Sequence, residues 1–375
     1  MSTIKLRSLL ALGTSAFVLA ACQGEDAGDT TDTIEDDTED TATDTGEDTS
    51  DETAEDDGED TEDIDFRIAM ITDECGVDDR SFNQSAWEGM NEWAENLGLS
   101  DEHFAYYQSN DSADFIPNLN QANAEGYDII YGIGFMLLDA VNDVADQNPE
   151  QNFGIVDDIS DRDNVISLTF RDHEAAFLAG VAAAETTETG RVGFIGGIAG
   201  PVIDRFETGF IAGVAHVDES IEVDSQYAES FSDAGIGQQI AAGMYASGAD
   251  VVYHAAGAVG NGVFTEARNR LESDSDEQIW LIGVDRDQEE EGNWDGGNFT
   301  LTSTLKGVGS SIEASANQTI EEGFPGGETI AYGLEEEGVD LTRGNMSDDA
   351  WAAVEEARQA ILDGEIEVPE FTYSE

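Results

Sequence analysis

Lys306 is the one lysine of this 375-residue chain beyond Lys5, and its isolated amine is the first candidate for chemistry. It lies in "LTSTLKGVG", where Gly307 follows it, so a phosphate-binding loop that ends in Gly-Lys-Ser/Thr is excluded. A lysine amine can also form a Schiff base, as an enzyme with pyridoxal phosphate requires. No cluster of basic residues that could hold the phosphate accompanies Lys306, so this enzymatic alternative is the weaker one. We expect no cofactor.

The other motifs that could carry catalysis or bind metal fail on spacing. The sequence "DRDQEEEGNWDG" begins like a calcium loop, but it has Glu290 where glycine is needed and Gly296 where the closing glutamate is needed. Glycine-rich turns such as "GGIAG" lack the full dinucleotide-binding spacing. The histidines lie far apart, without a pair at metal-ligand spacing: His103, His173, His216 and His254. We therefore predict a protein that is not an enzyme and has no metal site.

Strands alternate with helices from residue 66 onward, which defines the elements that must position Lys306. The run "FRIAMIT" predicts a strand, and the helix after it repeats Trp87, Met90 and Trp93 at helical spacing before it stops at Gly98. Two such series follow one another, which favours parallel sheets in two α/β lobes. Because ligands of parallel sheets bind beyond the carboxyl ends of the strands, the residues just after each strand are the candidates for a site.

The composition limits the partners of the chain. Acidic residues number 84 against 14 basic ones, a formal net charge of −70, so binding to nucleic acid or to an anionic membrane surface is excluded. Residues 66–375 keep regular apolar runs, so their acidic residues belong to the surface of a folded protein. The near-total loss of lysine together with this acidity predicts a protein adapted to high salt, where repulsion between like charges is screened.

The N-terminus predicts export and anchoring. Basic residues precede an apolar run that is too short to span a bilayer, and Leu19-Ala20-Ala21-Cys22 resembles the lipobox of exported lipoproteins. We expect residues 1–22 to be a signal peptide and Cys22 to carry the lipid that holds the protein to the outer face of the cell membrane. Residues 23–65 contain 22 acidic residues in 43 positions, which predicts a disordered tether.

Motifs along the whole body resemble one known family. The opening "IAMITDECGVDDRSFNQSAWEGMNEWAENLG" is similar to the start of the basic membrane protein family, the PnrA-like nucleoside-binding lipoproteins of ABC importers. The similarity continues in order through "FRDHEAAFLAGVAAA", "RVGFIGGIAGPVIDRFETGFIAGV", "HAAGAVGNGV", "IGVDRDQ" and "LTSTLKGVGSSI". Cys75 departs from the family, which usually has glycine or a small residue in that turn.

The resemblance implies an α/β, two-lobed periplasmic-binding-protein fold of the type I-like kind. Each lobe would contain a mainly parallel sheet flanked by helices, and a multi-strand hinge would join the lobes. The first lobe is expected to comprise residues 66–170 and the return segment 301–327. The second lobe is expected to comprise residues 171–300 and 328–375, with a C-terminal helix.

The resemblance also implies residues that would recognise the base of a purine nucleoside. Phe82 and Phe231 follow strands of opposite lobes and would stack on the two faces of the base, although each phenylalanine could instead belong to the core. Asp79 and Asn83 would bond the base edge, and the alternative for Asp79 is a helix cap. Asp139 corresponds to the base-reading aspartate of the family, and its alternative is a favourable charge at a helix N-terminus.

A second group of residues would bind the sugar. Asp285 ends "IWLIGVD" and would accept hydrogen bonds from both ribose hydroxyls. Gly260 would let the backbone approach the sugar closely. Lys306 would donate to a ribose oxygen and pair with Asp285. Phe206, in contrast, is expected in the core.

Two functions remain compatible with the sequence. The leading hypothesis is a monomeric solute-binding lipoprotein that delivers nucleosides to the permease and ATPase subunits of an ABC importer. The alternative is a ligand-sensing lipoprotein of the same fold that acts with a receptor.

Overall fold

The computed structural model describes residues 64–274 and 276–371 of the chain. The predicted signal peptide, the lipobox Cys22 and the acidic segment up to residue 63 lie outside these residues. None of the helices in the described part is long and apolar enough to span a bilayer.

Strands and helices alternate through most of the described chain. The strands are β1 (Ile68–Ile71), β2 (Phe104–Tyr107), β3 (Ile129–Gly132), β4 (Asn152–Val156), β5 (Val165–Phe170), β6 (Arg191–Gly196), β7 (Glu222–Tyr227), β8 (Val251–Ala255), β9 (Trp280–Gly283), β10 (Asn293–Trp294), β11 (Gly297–Asn298), β12 (Thr300–Lys306), β13 (Thr329–Tyr332) and β14 (Val339–Leu341). The helices are α1 (Phe82–Leu97), α2 (Phe115–Glu125), α3 (Leu138–Gln147), α4 (Asp172–Thr186), α5 (Pro201–Val217), α6 (Ala234–Ala246), α7 (Val259–Ser273), α8 (Val308–Glu322) and α9 (Asp348–Leu362).

Twelve of these strands form two six-stranded sheets, one in each lobe, and β10 and β11 form a two-stranded antiparallel sheet. The first sheet has the order β13-β5-β4-β3-β1-β2 and is parallel throughout. The second has the order β14-β12-β9-β8-β6-β7, and only its edge strand β14 runs antiparallel. Their central strands, such as β1 and β8, are fully buried because helices cover both faces. The predicted fold class is confirmed.

Strand pairing corrects the predicted return segments. Residues 301–306 were assigned to the first lobe, but they belong to β12, which pairs with β9 in the second sheet. Residues 329–332 were assigned to the second lobe, but they form β13, which pairs with β5 in the first sheet. The apolar pattern of a segment identifies a strand but not the strand beside it, so chain order alone could not place β12 and β13 in their sheets.

The chain crosses between the lobes three times: between β5 and α4, between β12 and α8, and between β13 and β14. Helix α8 packs on α1 of the first lobe, where Gly89 and Gly309 let the two backbones approach closely. Helix α4 is buried on almost every side against α5 and α9, which explains its unbroken apolar run "AAFLAGVAAA". These packed crossovers hold in place the strand ends that face the space between the two lobes.

Candidate functional site

A cavity lies between the carboxyl ends of the two sheets. Its space without protein atoms is about 540 Å³, including a part open to solvent. Loops after β1, β3 and β4 of the first lobe line it, and so do segments after β6, β7, β8 and β9 of the second. The lining residues are Asp73, Cys75, Asp79, Phe82, Gly134, Phe135, Met136, Asp157, Val202, Ile203, Phe206, Phe231, Ala255, Ala256, Gly257, Val284, Asp285 and Lys306. This is the position at which parallel sheets bind ligands.

A wider cavity adjoins the first and shares Phe135, Asp157 and Val202 with it. It extends past the β5–α4 crossover to the C-terminal residues 364–371. Strand ends of both lobes surround the smaller cavity more completely, so the smaller cavity is the candidate site.

Five of the eight predicted ligand residues line the smaller cavity: Asp79, Phe82, Phe231, Asp285 and Lys306. Phe82 begins α1 of the first lobe, and Phe231 follows β7 of the second. The Phe231 ring lies over Gly197, where any side chain would overlap it, and meets Phe135 edge to face with the ring centroids 6.1 Å apart. The two lobes thus place aromatic rings in the same space.

The other three predicted residues do not line the cavity. Asn83 is fully buried, and its amide donates to Asp73 at 2.7 Å and to Asp79 at 3.0 Å. Asp139 is exposed in the first turn of α3. Gly260 lies against the ring of His254, and any side chain at position 260 would overlap that ring. The expected contacts of these residues with base or sugar are therefore corrected. Asn83 stabilises a turn, Asp139 lies at a helix N-terminus, and Gly260 permits close packing.

Asp79 lines the cavity, but its carboxylate is used inside the protein. One oxygen accepts from the backbone N–H groups of Ser81 at 2.9 Å and Gln84 at 3.1 Å. The other accepts from the backbone and the side chain of Asn83 at 2.9 and 3.0 Å. Four donors occupy both oxygens, so the structure supports the alternative role of Asp79 as the cap of α1.

Lys306 is enclosed at the end of β12, with only 4% of its surface exposed. Its Nζ lies 2.7 Å from the carboxylate of Asp157 and 3.1 Å from that of Asp172. The predicted ion pair with Asp285 is therefore wrong. Burial alone would lower the pKa of Lys306, but the nearby carboxylates raise it, so the ammonium stays charged.

Three phenylalanine rings complete the surroundings of the ammonium. Phe170, Phe82 and Phe206 lie with their ring centroids 5.0, 5.3 and 5.5 Å from Nζ. At these distances the ring faces attract a cation. Phe206, which was expected in the core, is thus also a wall of the cavity.

Asp285 follows β9 in a left-handed backbone conformation, with φ of 67°. Its carboxylate accepts a hydrogen bond from the Ser81 hydroxyl of the first lobe. Burial raises the pKa of Asp285 to about 7, against a smaller lowering effect of Lys306 and Ser81. Near neutral pH this carboxyl group therefore changes charge inside the cavity.

Sequence reasoning missed two further carboxylates in the cavity. Asp73 comes two residues after β1, and Asp157 comes directly after β4. Burial raises the pKa of Asp73 to about 6, and Asp157 is held in a left-handed conformation at φ of 70°. Both could have been found by the rule that selected Asp285, because each is an acidic residue at the carboxyl end of a buried parallel strand.

Contacts outside the cavity hold the lobes together. The Gln288 amide of the second lobe donates to the Arg80 carbonyl oxygen of the first at 2.8 Å. Arg286 pairs with Glu88 at 3.0 Å, and Arg80 pairs with Glu291. The described conformation is therefore closed over the cavity.

A cavity closed between two mainly parallel α/β lobes defines the class of periplasmic-type solute-binding proteins. A solved solute-binding protein of an ABC transporter system from Aeropyrum pernix K1 has the same fold, with a TM-score of 0.71 and 26% identity over 82% of this chain and 94% of that one.

Comparison of sequences identifies the family. The model of the PnrA-like ABC transporter substrate-binding proteins matches residues 66–372, and the chain belongs to this family. An "ABC transporter nucleoside-binding protein BmpA" of Lactococcus lactis subsp. cremoris is 48% identical over 314 residues, 81% of this chain and 89% of that protein. A "CD4+ T-cell-stimulating antigen" of Listeria innocua is 50% identical over 316 residues, 82% of this chain and 88% of that protein. The family is one of substrate-binding proteins, which confirms the prediction of a protein that is not an enzyme.

Proposed function

We propose that this protein binds nucleosides, and purine nucleosides in particular, in the closed cavity and delivers them to the permease of an ABC importer. The observation that carries the proposal is the division of the cavity into an aromatic part, with Phe82, Phe135 and Phe231, and a charged part, with Asp285 and Lys306. A nucleoside has the same division into a flat apolar base and a hydroxylated sugar.

The aromatic part suits a base held between the lobes. Phe82 and Phe231 come from opposite lobes, so a base between them would contact both only when the lobes are closed. The larger face of a purine gains more from such stacking than that of a pyrimidine. In the charged part, carboxylates accept hydrogen bonds from sugar hydroxyls and the ammonium donates to them, and charge strengthens both.

Calorimetric titration of the mature protein with guanosine, adenosine, inosine and cytidine tests the proposal. We expect binding of the three purine nucleosides and weaker binding of cytidine. Phe231→Ala should weaken binding of all four, whereas Phe371→Ala, an exposed phenylalanine that lines the wider cavity but not the smaller one, should leave it unchanged. Absence of heat with every nucleoside would reject nucleoside binding, and equal affinity for cytidine would reject the purine preference.

We further propose that the protein works on the outer side of the cell membrane, anchored through a lipid on Cys22. The lipobox at residues 19–22 and the acidic segment after it support this arrangement. Mass spectrometry of the N-terminal peptide should show acyl groups on Cys22, and Cys22→Ala should release the protein from the membrane fraction. Recovery of the alanine variant with the membranes would contradict the anchor.

A further inference from the structure

The ammonium of Lys306 has three N–H donors, and the structure accounts for two of them. Both oxygens of Asp157 lie 2.7 Å from Nζ, close enough together that a single N–H faces the pair, and Asp172 Oδ1 lies 3.1 Å from Nζ. Lys306 itself lines the cavity. One donor therefore remains for a ligand, and its direction depends on how the two carboxylates hold the other two.

The two carboxylates differ in their position relative to the cavity. Asp157 is part of the cavity lining and can itself meet a ligand. Asp172 is absent from the lining and only 1% exposed, so it reaches a ligand only through Lys306. The two residues therefore have to be assigned separate roles.

Asp172 is also fixed more firmly than a surface carboxylate. It is the first residue of α4, directly after the first crossover between the lobes, and α4 is buried along most of its length. Its second oxygen lies 3.5 Å from Nε of Arg205, whose side chain is 12% exposed. A buried carboxylate between two cations has little freedom to rotate, so the ammonium next to it is also held in one place.

We propose that Asp172 is a positioning residue, which orients the ammonium of Lys306 so that its remaining N–H meets a hydroxyl of the ligand's sugar. This inference rests on the proposed binding of nucleosides. It adds that recognition of the sugar depends on a residue that the ligand does not touch.

The test compares one variant with two ligands. Asp172→Asn keeps the shape of the side chain but removes its charge, and the ligands are inosine and 2′,3′-dideoxyinosine, which lacks the 2′- and 3′-hydroxyls of the sugar and keeps the 5′-hydroxyl. Calorimetry should show inosine binding weakened about tenfold, the size of one charge-assisted hydrogen bond, and dideoxyinosine binding changed less than about twofold. The matched control is Glu174→Gln in the same first turn of α4; Glu174 accepts from the backbone of Leu334 and does not contact Lys306, so both affinities should stay unchanged.

The outcomes separate this inference from the proposed function. Equal losses for both ligands, or no loss for either, would overturn the positioning role, because then Asp172 does not act through the sugar contact. Wild-type protein that binds no nucleoside would overturn the proposed function and this inference with it. If Asp172→Asn fails to fold, Asp172→Glu replaces it: the longer side chain keeps the charge but displaces the ammonium, and the same selective loss for inosine is expected.

Discussion

Asp285 should make nucleoside affinity depend on pH in the neutral range. Its pKa is raised to about 7 by burial, and a protonated carboxyl group cannot accept hydrogen bonds from two sugar hydroxyls as a carboxylate can. At pH 6 about one molecule in eleven would carry the carboxylate, so the apparent affinity should fall about tenfold for each pH unit below 7. Above about pH 8 the affinity should level off.

Neighbouring groups set the limits of this prediction. Lys306 lowers the pKa of Asp285, whereas Asp79 and Asp157 raise it. Asp73, with a pKa of about 6, adds a second ionisation only at the acidic end of the range. The buried His254 has a pKa lowered to about 4, so it stays neutral throughout.

Calorimetry with guanosine between about pH 5.5 and 8.5, at one high salt concentration, measures the effect. At pH 6 binding should release close to one proton, which appears as an enthalpy that changes with the ionisation heat of the buffer. Asp285→Asn should bind more weakly at pH 8, by about 10- to 100-fold, and should lose the dependence around pH 7. A wild-type affinity that is flat across this range would refute the assignment of Asp285 as the ionised acceptor.

Three further predictions concern stability. Lys306→Met should lower the free energy of unfolding by about 3 to 5 kcal/mol, because it leaves the buried carboxylate of Asp157 without its cation and Asp172 with Arg205 alone; denaturant unfolding with a change under about 1 kcal/mol would contradict this. Gly237→Ala should destabilise by about 1 to 3 kcal/mol, since the new methyl group overlaps the Val259 carbonyl oxygen, whereas Gly243→Ala in the same helix meets open space and should stabilise by about 0.5 to 1 kcal/mol. His254→Leu should stabilise at pH 5 by about 2 kcal/mol more than at pH 8, because the histidine pKa is lowered from 6.5 to about 4 by burial and the unfolded chain takes up the proton first as the pH falls; equal thermal shifts at both pH values would exclude this linkage.

The sequence predicted the architecture well because its apolar periodicity is regular. Buried parallel strands such as β1 and β8 read as continuous apolar runs, and each is followed by a helix with a clear end, such as α1 at Gly98. Residues directly after strands were also predictable as lining, as Asp285 illustrates. Pairing of β12 and β13 was not, because it depends on which sheet each strand reaches after the crossovers form.

The partners of charged side chains were the least predictable part of the site. The family resemblance suggested Asp285 as the partner of Lys306, but the actual partners are Asp157, directly after β4, and Asp172 in α4, 149 and 134 positions away in the chain. The same resemblance suggested Asp79 as a ligand residue, yet four nearby N–H groups occupy its oxygens. Both outcomes depend on side-chain distances of a few ångströms, which strand order and residue type do not determine.

Closure from two sides has a kinetic consequence. Neither lobe carries the whole cavity lining, so a ligand that has reached one lobe gains its remaining contacts only when the lobes meet. Its dissociation rate should therefore follow the rate of lobe opening. Contacts between the lobes that do not touch the ligand also affect this rate, such as Arg286 with Glu88 and Gln288 with the backbone of Arg80. Salt screens the exposed ion pair but hardly affects the enclosed Lys306. Rising salt should thus shorten the residence time of the ligand without changing which ligand is chosen. The exposed contacts between the lobes would then set the rate of release, and the enclosed site would set the selectivity.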